Sequence, residues 1–227
     1  MPVDQVAIFA QTEGDRWFER NRASLTRCDV AHDFPLRLIE LYNLQPRSVL
    51  EIGASNGFRV AALAARGVRD AVAVEASAAA VRDGEARFPD VQFIRATADA
   101  IPLHRTFELV IVNFVLHWVD RTRLLTSVGE IDRLVADGGY LLLGDFHPAR
   151  PTRVPYHHLP DQAVYTYKQA YGIVFRASGL YQPVAMLSGD HADHDLRADV
   201  PEDDRVATWL LRKSLQGNYA ERRREQP

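Results

Sequence analysis

Residues 49–57 read Val-Leu-Glu-Ile-Gly-Ala-Ser-Asn-Gly, and this stretch decides the fold class. A short apolar run ends beside an acidic residue and passes directly into a glycine-bearing turn that opens a helix. In an open α/β sheet, such a strand-to-helix turn is where the ligand binds. Gly53 lets the chain reverse without a Cβ clash, and Gly57 lets the first helical turn pack closely against the strand. We therefore predict a strand followed by a ligand-binding turn.

Outward from this turn, apolar runs alternate with amphipathic segments as far as residue 144. Such alternation builds a parallel sheet with helices on both faces. The expected strands span residues 48–52, 71–75, 91–94, 109–112 and 140–143, the last entered through a turn at 137–139. The expected helices span 60–65, 78–87 after Ser77 as N-cap, and 124–134. Segments 184–187 and 206–211 predict an antiparallel pair at the sheet edge, after a loop at 148–160 rich in proline and histidine.

The fold class expected is α/β: a Rossmann-like, doubly wound sheet of about seven strands, mostly parallel with an antiparallel edge hairpin. Two helices, at 15–27 and 35–42, precede the core as an N-terminal helical cap. A length of 227 residues suits a single domain. We divide it into a cap or lid at 1–45, a cofactor-binding core at 46–147, an acceptor loop with C-terminal edge strands at 148–215, and a flexible tail at 216–227.

The amino-acid composition and net charge indicate which kinds of binding partner the protein has. A net charge of -3 disfavours nucleic acid as the main partner, and Arg222 to Arg224 indicate only a solvated tail. Cys28 is the single cysteine, which excludes an internal disulfide and fits a reducing cytoplasm. No apolar stretch approaches the length of a membrane span. We expect a cytoplasmic monomer or homodimer that binds a small molecule and no membrane.

Three further polar positions follow later strands. Glu75 lies about twenty residues beyond the first turn, where a carboxylate accepts hydrogen bonds from ribose hydroxyls. Asp99, in Ala-Thr-Ala-Asp-Ala-Ile-Pro at 96–102, is placed to accept from an adenine amino group, with the amide of Ala98 beside a ring nitrogen. Asn113 and Phe114 end the fourth strand. All of these positions fall at the carboxyl ends of successive strands and predict one adenosine site.

Two other functions share part of this pattern. An NAD(P)-dependent oxidoreductase would use the same early turn and Glu75, but it requires a phosphate-binding glycine run, and Ser55 and Phe58 stand where those glycines would help. Tyr165 and Lys168 also have the wrong spacing for a Tyr-x-x-x-Lys pair. A non-catalytic cofactor-binding subunit that activates a partner is a third reading, which the sequence leaves open.

Residues 49–143 resemble the class I S-adenosylmethionine-dependent methyltransferase family. Its usual Glu-x-Gly-x-Gly-x-Gly motif appears here with Ser55 at the middle glycine. The resemblance implies that the first loop wraps methionine and ribose, Glu75 binds ribose, Asp99 binds adenine and the end of strand four lines the methyl pocket. The cofactor-binding residues it implies are Glu51, Gly53, Ala54, Ser55, Gly57, Glu75, Ala76, Ala98, Asp99, Asn113 and Phe114.

The chain also resembles a narrower bacterial group, through Glu-Gly-Asp-x-Trp-Phe-Glu-Arg-Asn at 13–21 and Tyr-x-Tyr-Lys at 165–168. That similarity implies a sugar-like or specialised-metabolite acceptor. Trp17 and Asn21 lie on the helix before the core. They are expected either to contact the cofactor as part of a lid that excludes water or to form a plain hydrophobic cover.

Methyl transfer from a sulfonium is an in-line displacement, for which the protein mainly aligns and desolvates the reactants. A hydroxyl or acidic carbon acceptor would gain from a general base, and His117 and His147 are the best-placed histidines. Asp145 is expected to orient such a histidine or bind the acceptor. The alternative is that His117 is a half-buried helix residue and that His147 satisfies a nearby carbonyl.

Tyr156, His157 and Tyr165 are the candidate acceptor-binding residues, with His158 and Tyr167 beside them. Tyrosines at alternate positions also occur on an ordinary amphipathic surface. His191 and His194, with Asp193 and Asp195, raise the question of a metal site. A lone His-x-x-His in an acidic loop is usually solvated, so we predict no metal there.

Overall fold

The computed structural model describes residues 3–25 and 32–221. Seven strands form one sheet in the order β3-β2-β1-β4-β5-β9-β8. Its strands are β1 (Ser48–Ile52), β2 (Asp70–Glu75), β3 (Gln92–Arg95), β4 (Phe107–Asn113), β5 (Val135–Phe146), β8 (Tyr181–Asp190) and β9 (Arg205–Lys213). A separate two-stranded sheet joins β6 (Thr152–Pro155) to β7 (Tyr165–Lys168). The first five strands are parallel, and β9 and β8 add an antiparallel edge.

The helices are α1 (Gln5–Ile8), a π-helical turn (Phe9–Glu13), α2 (Gly14–Leu25), α3 (Phe34–Leu41), α4 (Phe58–Ala65), α5 (Ala78–Arg87), α6 (Leu124–Leu134) and α7 (Gly172–Ala177). Side-chain caps account for several starts. Ser77 accepts a hydrogen bond from the Ala80 amide at the start of α5, as its position in the sequence predicts. Asp33 does the same for the Leu36 amide at α3.

The core lies on both faces of the sheet. Val49 and Ile111 belong to the cluster under α3 and α4, whereas Leu50 and Val112 belong to the cluster under α6 and α7. Adjacent residues of one strand therefore enter opposite cores, which is why these strands read as continuous apolar runs. The doubly wound fold expected from the sequence, with its antiparallel edge and helical cap, is confirmed.

Several elements differ from the expectation. β5 begins at Val135 and includes the residues predicted to form a turn at 137–139. The register of its pairing with β4 shifts in this region, and Gly138 has φ 77°. The loop expected at 148–160 contains β6, whose four residues are all exposed. Pattern reading missed that strand because neither of its faces enters a core. The helix α7 was also not predicted.

One edge of the sheet collects the functional elements. The carboxyl ends of β1, β2, β4 and β5 meet there because parallel strands end at the same edge. The β8–β9 connection and the β6–β7 hairpin open from that edge as well. Cys28 and Arg222 to Arg224 lie outside the described residues. Among those described, no helix is both long and apolar enough to cross a membrane.

Candidate active site

The turn after β1 requires glycine at two positions. Gly53 has φ 72° and Gly57 has φ 74°, both in the left-handed region. A Cβ at Gly53 would lie 2.3 Å from Val115 Cγ2, and one at Gly57 would lie 2.6 Å from the Phe93 ring. Ser55 also has a positive φ, 52°, and Ala54 is buried beside it. The turn is thus closely covered from both sides.

Glu75 is oriented by the backbone around it. Its Oε2 accepts from the Ser55 amide at 2.8 Å, and its Oε1 accepts from the Ser77 amide at 2.8 Å. Burial raises the pKa of Glu75, although these backbone N–H groups oppose the shift. The Glu75 carboxylate therefore connects the β1 turn, through Ser55, to the loop after β2, through Ser77. Ala76 lies between Glu75 and Ser77. This is the position that the sequence assigns to ribose binding.

Glu51 has a different environment from the one expected. It is fully buried, and one oxygen accepts a hydrogen bond from Arg59, which also donates to Asp33 at 2.9 Å. Its other oxygen, Oε2, has no hydrogen-bond partner among the described residues. Burial raises the pKa of Glu51 to about 7, and Arg59 offsets part of that shift. The carboxylate lies under the turn and is partly engaged by Arg59.

Asp99 lies on the loop after β3, as expected. Its Oδ2 accepts from Arg123 at 2.6 Å, while its buried Oδ1 has no partner within the described chain. Burial acts to raise the pKa of Asp99, but the hydrogen bond from Arg123 and other contacts lower it overall, so the carboxylate stays charged. Ala98 beside it is half-buried. A buried, charged oxygen without a donor suits an incoming amino group.

Asn113 ends β4, and Phe114 directly after it belongs to an aromatic group that the sequence did not predict. Phe114 has φ 56°, and its ring lies 5.6 Å from Phe146, 5.3 Å from His191 and 5.9 Å from His194. We call Phe114, Phe146, His191 and His194 the ring cluster. His191 is exposed and His194 is half-buried. The two histidines thus contact phenylalanine rings, while the segment 191–199 around them is exposed apart from His194.

His117 and Asp145 form a pair. The ring Nδ1 of His117 lies 3.1 Å from Asp145 Oδ1, and the His117 amide donates to Asp145 Oδ2 at 3.1 Å. The side chain of His117 is 17% exposed and that of Asp145 is 3% exposed. A proton on Nδ1 shared with the carboxylate leaves Nε2 as the basic nitrogen. The structure therefore brings together two of the three predicted catalytic residues.

His147 is placed apart from that pair. Its amide donates to the Arg205 carbonyl at 2.8 Å, and its ring lies 5.8 Å from Trp209. Burial, with a smaller contribution from Arg205, lowers the pKa of His147. Among the contacts of the described residues, Asp145 pairs with His117 and not with His147. The catalytic role of His147 stays a prediction.

The N-terminal cap reaches the carboxyl edge of the sheet through Asp15, for which the sequence predicted no contact. Asp15 accepts from the Ser77 hydroxyl at 2.6 Å and from the Ala79 amide at 3.0 Å. This places α2 against the loop that follows Glu75. Trp17 is half-buried there, and the side-chain amide nitrogen of Asn21 donates to the Trp17 carbonyl at 2.8 Å.

Tyr156 and Tyr165 contact the cap as well. The Tyr156 hydroxyl donates to the buried Glu13 at 2.9 Å, and burial raises its pKa. Both backbone groups of Tyr165 bond to the side chain of Gln5, at 2.9 and 2.7 Å. His157 is exposed. These contacts were not predicted, because Tyr156 and Tyr165 lie more than 140 residues from Glu13 and Gln5 in the sequence.

Metal binding has no support in the described ranges, where no group of three or more His, Cys, Asp or Glu side chains is arranged to hold an ion.

Comparison with known proteins gives three findings. Residues 50–143 match the family model described as a methyltransferase domain. The demethylmenaquinone methyltransferase of Renibacterium salmoninarum is 28% identical over 163 residues, which cover 71% of this chain and 63% of that relative. The alignment thus spans less than two thirds of the relative's own length.

Two solved structures share the fold. One is the Burkholderia thailandensis 1,6-didemethyltoxoflavin-N1-methyltransferase with bound 1,6-didemethyltoxoflavin and S-adenosylhomocysteine, with TM-score 0.71, 16% identity, and coverage of 94% of this chain and 92% of that chain. The other is the N-methyltransferase NodS of Bradyrhizobium japonicum in complex with S-adenosylhomocysteine, with TM-score 0.59, 16% identity, and coverage of 93% and 99%. The domain match and this shared fold confirm the class predicted from the sequence. Residues 50–143 are thus similar to a methyltransferase domain, and the chain shares the fold of both solved structures.

Proposed function

We propose that the protein transfers a methyl group from S-adenosylmethionine to an oxygen, nitrogen or carbon atom of a small-molecule acceptor, sugar-like or a specialised metabolite. One observation carries this proposal. Glu75, the glycine turn at Gly53 and the unpartnered oxygen of Asp99 all lie at the carboxyl edge of the parallel strands. Ligands of open α/β sheets bind outside that edge.

The residues present fit this cofactor. The two amides that hold Glu75 orient its carboxylate, which can still accept from two ribose hydroxyls, because each carboxylate oxygen offers more than one lone pair. Asp99 Oδ1 is buried and lacks a donor, as expected for an acceptor of adenine amino hydrogens. Because Gly53 has no side chain, the methionine portion of the cofactor can approach the backbone closely there.

When bound, the cofactor supplies an electrophilic methyl group on a positively charged sulfur. The chain's own contribution is to align an acceptor opposite that group and to take up its proton. His117 is suited to the second task, because Asp145 holds its Nδ1 and leaves Nε2 to accept a proton. The cap helices, held at Ser77 by Asp15, would exclude water as a lid.

The names of the relatives support a small-molecule acceptor. The curated relative is a demethylmenaquinone methyltransferase, and one structural neighbour holds 1,6-didemethyltoxoflavin. Both names describe small organic molecules and not a protein or a nucleic acid. We propose only the class of acceptor, a small molecule, since the sequence identity to each of these proteins is below 30%.

Calorimetry tests the cofactor assignment. We expect S-adenosylhomocysteine to bind the wild-type protein and to bind Glu75→Gln more weakly by about a hundredfold, because a buried charge-assisted acceptor is removed. Glu85→Gln on the exposed side of α5 is the matched control and should bind like wild type. Binding of NAD in place of S-adenosylhomocysteine would contradict the proposal and favour an oxidoreductase.

A further inference from the structure

The ring cluster stands directly beside the proposed base. The His117 ring lies 6.0 Å from Phe114 and 5.3 Å from Phe146, close to perpendicular to the latter at 88°. Phe114 follows β4, Phe146 ends β5, and the two histidines come from the β8–β9 connection. Three separate chain segments thus converge on one place at the carboxyl edge of the sheet.

The shape of this place favours flat rings. Phe114 and His194 are nearly parallel, at 19°, whereas Phe114 and Phe146 meet at 85°. Aromatic rings pack well in both of these arrangements. A cleft lies alongside, lined in part by Asn113, Phe114, His194 and Thr208. Since His191 is exposed, one side of the cluster is accessible from solvent.

The charge of this place disfavours a cationic acceptor. Lys168 Nζ lies 4.5 Å from the centre of the Phe146 ring. His194 is half-buried, and burial is the main cause that lowers the pKa of its imidazole. Two carboxylates lie nearby: Asp145 is engaged by His117, and Asp33, which lines the cleft, is engaged by Arg59. An ammonium group would therefore meet the Lys168 charge, whereas an anionic oxygen or nitrogen would be attracted to it.

Resting on the proposed methyl transfer, we infer that the acceptor is a planar aromatic ring that bears an acidic hydroxyl or ring N–H, and that it packs on the ring cluster beside His117. His117 Nε2 takes the acidic proton, and Lys168 stabilises the anion. The acceptor heteroatom then forms a bond to the methyl carbon as the carbon–sulfur bond breaks. The bonding pair remains on sulfur, which leaves as a neutral thioether.

Binding of two acidic phenols to the protein saturated with S-adenosylhomocysteine tests this inference. Para-nitrophenol and umbelliferone should bind. Nitrobenzene, the control without an ionisable hydroxyl, should bind more weakly. Removal of two stacking partners in the double variant H191A/H194A should weaken phenol binding about tenfold. His104→Ala is the matched control, because His104 is exposed and precedes β4 at the opposite edge of the sheet. Equal binding by the double variant and the control would overturn the inference.

The absorption spectrum of bound para-nitrophenol tests the charge argument separately. We expect the yellow phenolate in the wild type below the pH at which it forms in water. Lys168→Met should return the spectrum toward the neutral phenol, and Lys168→Arg should restore the phenolate. A neutral phenol bound to the wild type would contradict the role of Lys168, whatever the folding of the variants.

Turnover separates this inference from the function on which it rests. With S-adenosylmethionine, mass spectrometry should detect methylated phenol and no methylated glucosamine. Methylated glucosamine without methylated phenol would overturn the inference and leave methyl transfer standing. Binding of S-adenosylhomocysteine without any phenol binding would also overturn the inference alone. Failure to bind S-adenosylhomocysteine would remove both.

Discussion

Ser55 stands in a left-handed backbone position, φ 52°, inside the β1 turn, and its buried hydroxyl has no partner among the described residues. A side chain in this region costs on the order of 1 kcal/mol, which glycine avoids. We expect Ser55→Gly to raise the free energy of unfolding by about 1 kcal/mol. Urea unfolding measures it. Ser55→Ala removes the hydroxyl but keeps the Cβ, so an equal gain for alanine would show that the backbone is not strained.

Glu51 makes stability depend on pH. Its pKa rises in the folded protein from 4.5 to about 7, so between these values the folded state keeps a proton that the unfolded state has released. The free energy of unfolding should therefore fall as pH rises through this window, by up to about 3 kcal/mol. Glu51→Gln should remove that fall, as urea unfolding at pH 5 and pH 7.5 would show. Glu85→Gln, on an exposed surface, should keep it. A slope unchanged in Glu51→Gln would contradict this account.

At the scale of elements, Gln5 joins α1 to two distant segments. Its amide nitrogen donates to the Trp118 and Tyr165 carbonyls, and its oxygen accepts from the Tyr165 amide. The side chain is 2% exposed, so water does not readily replace these bonds. Gln5 thus connects the N-terminal cap to β7 and to the loop after β4.

We expect Gln5→Ala to loosen these elements without unfolding the sheet, because each buried group left unpaired costs about 1–3 kcal/mol. Hydrogen exchange of the Tyr165 amide should become faster, while amides of β1 and β4 keep their protection. Gln5→Glu keeps the acceptor oxygen and should slow the Tyr165 exchange again. Gln11→Ala, at an exposed position, is the control. Uniformly faster exchange throughout the sheet would show that Gln5 supports the whole fold.

On the scale of the whole molecule, the cap and the core meet beside the cofactor edge. Asp15 contacts Ser77 and Ala79, two and four residues beyond Glu75. A ligand on Glu75 should therefore hold α2 in place. We expect S-adenosylhomocysteine to slow tryptic cleavage after the exposed Arg16, and Asp15→Ala to cancel this protection.

The matched control for the cap is Glu19→Ala, an exposed position on the same helix. Ligand at a hundredfold excess over its dissociation constant should also stabilise the fold by about 2.7 kcal/mol. A thermal shift without any change in cleavage at Arg16 would mean that the cofactor binds and that the cap does not close over it.

Local periodicity allowed most of the sheet to be predicted. The run 48–52 matches β1 and the segment 124–134 matches α6, because burial on both faces or on one stripe leaves a repeating apolar pattern. The strand β6 escaped prediction because it is short, exposed and paired only with β7. The glycine turn and Glu75 were found from their spacing, since a strand-to-helix turn has local rules.

Sequence alone determined the sheet and the residues at the ends of its strands, because strand periodicity and turn chemistry are set within a few neighbours. Only the tertiary structure decided that Glu51 faces Arg59, that Asp145 holds His117, and that His191 and His194 pack on Phe114. These contacts join side chains from different elements, and their formation depends on how the elements pack against one another.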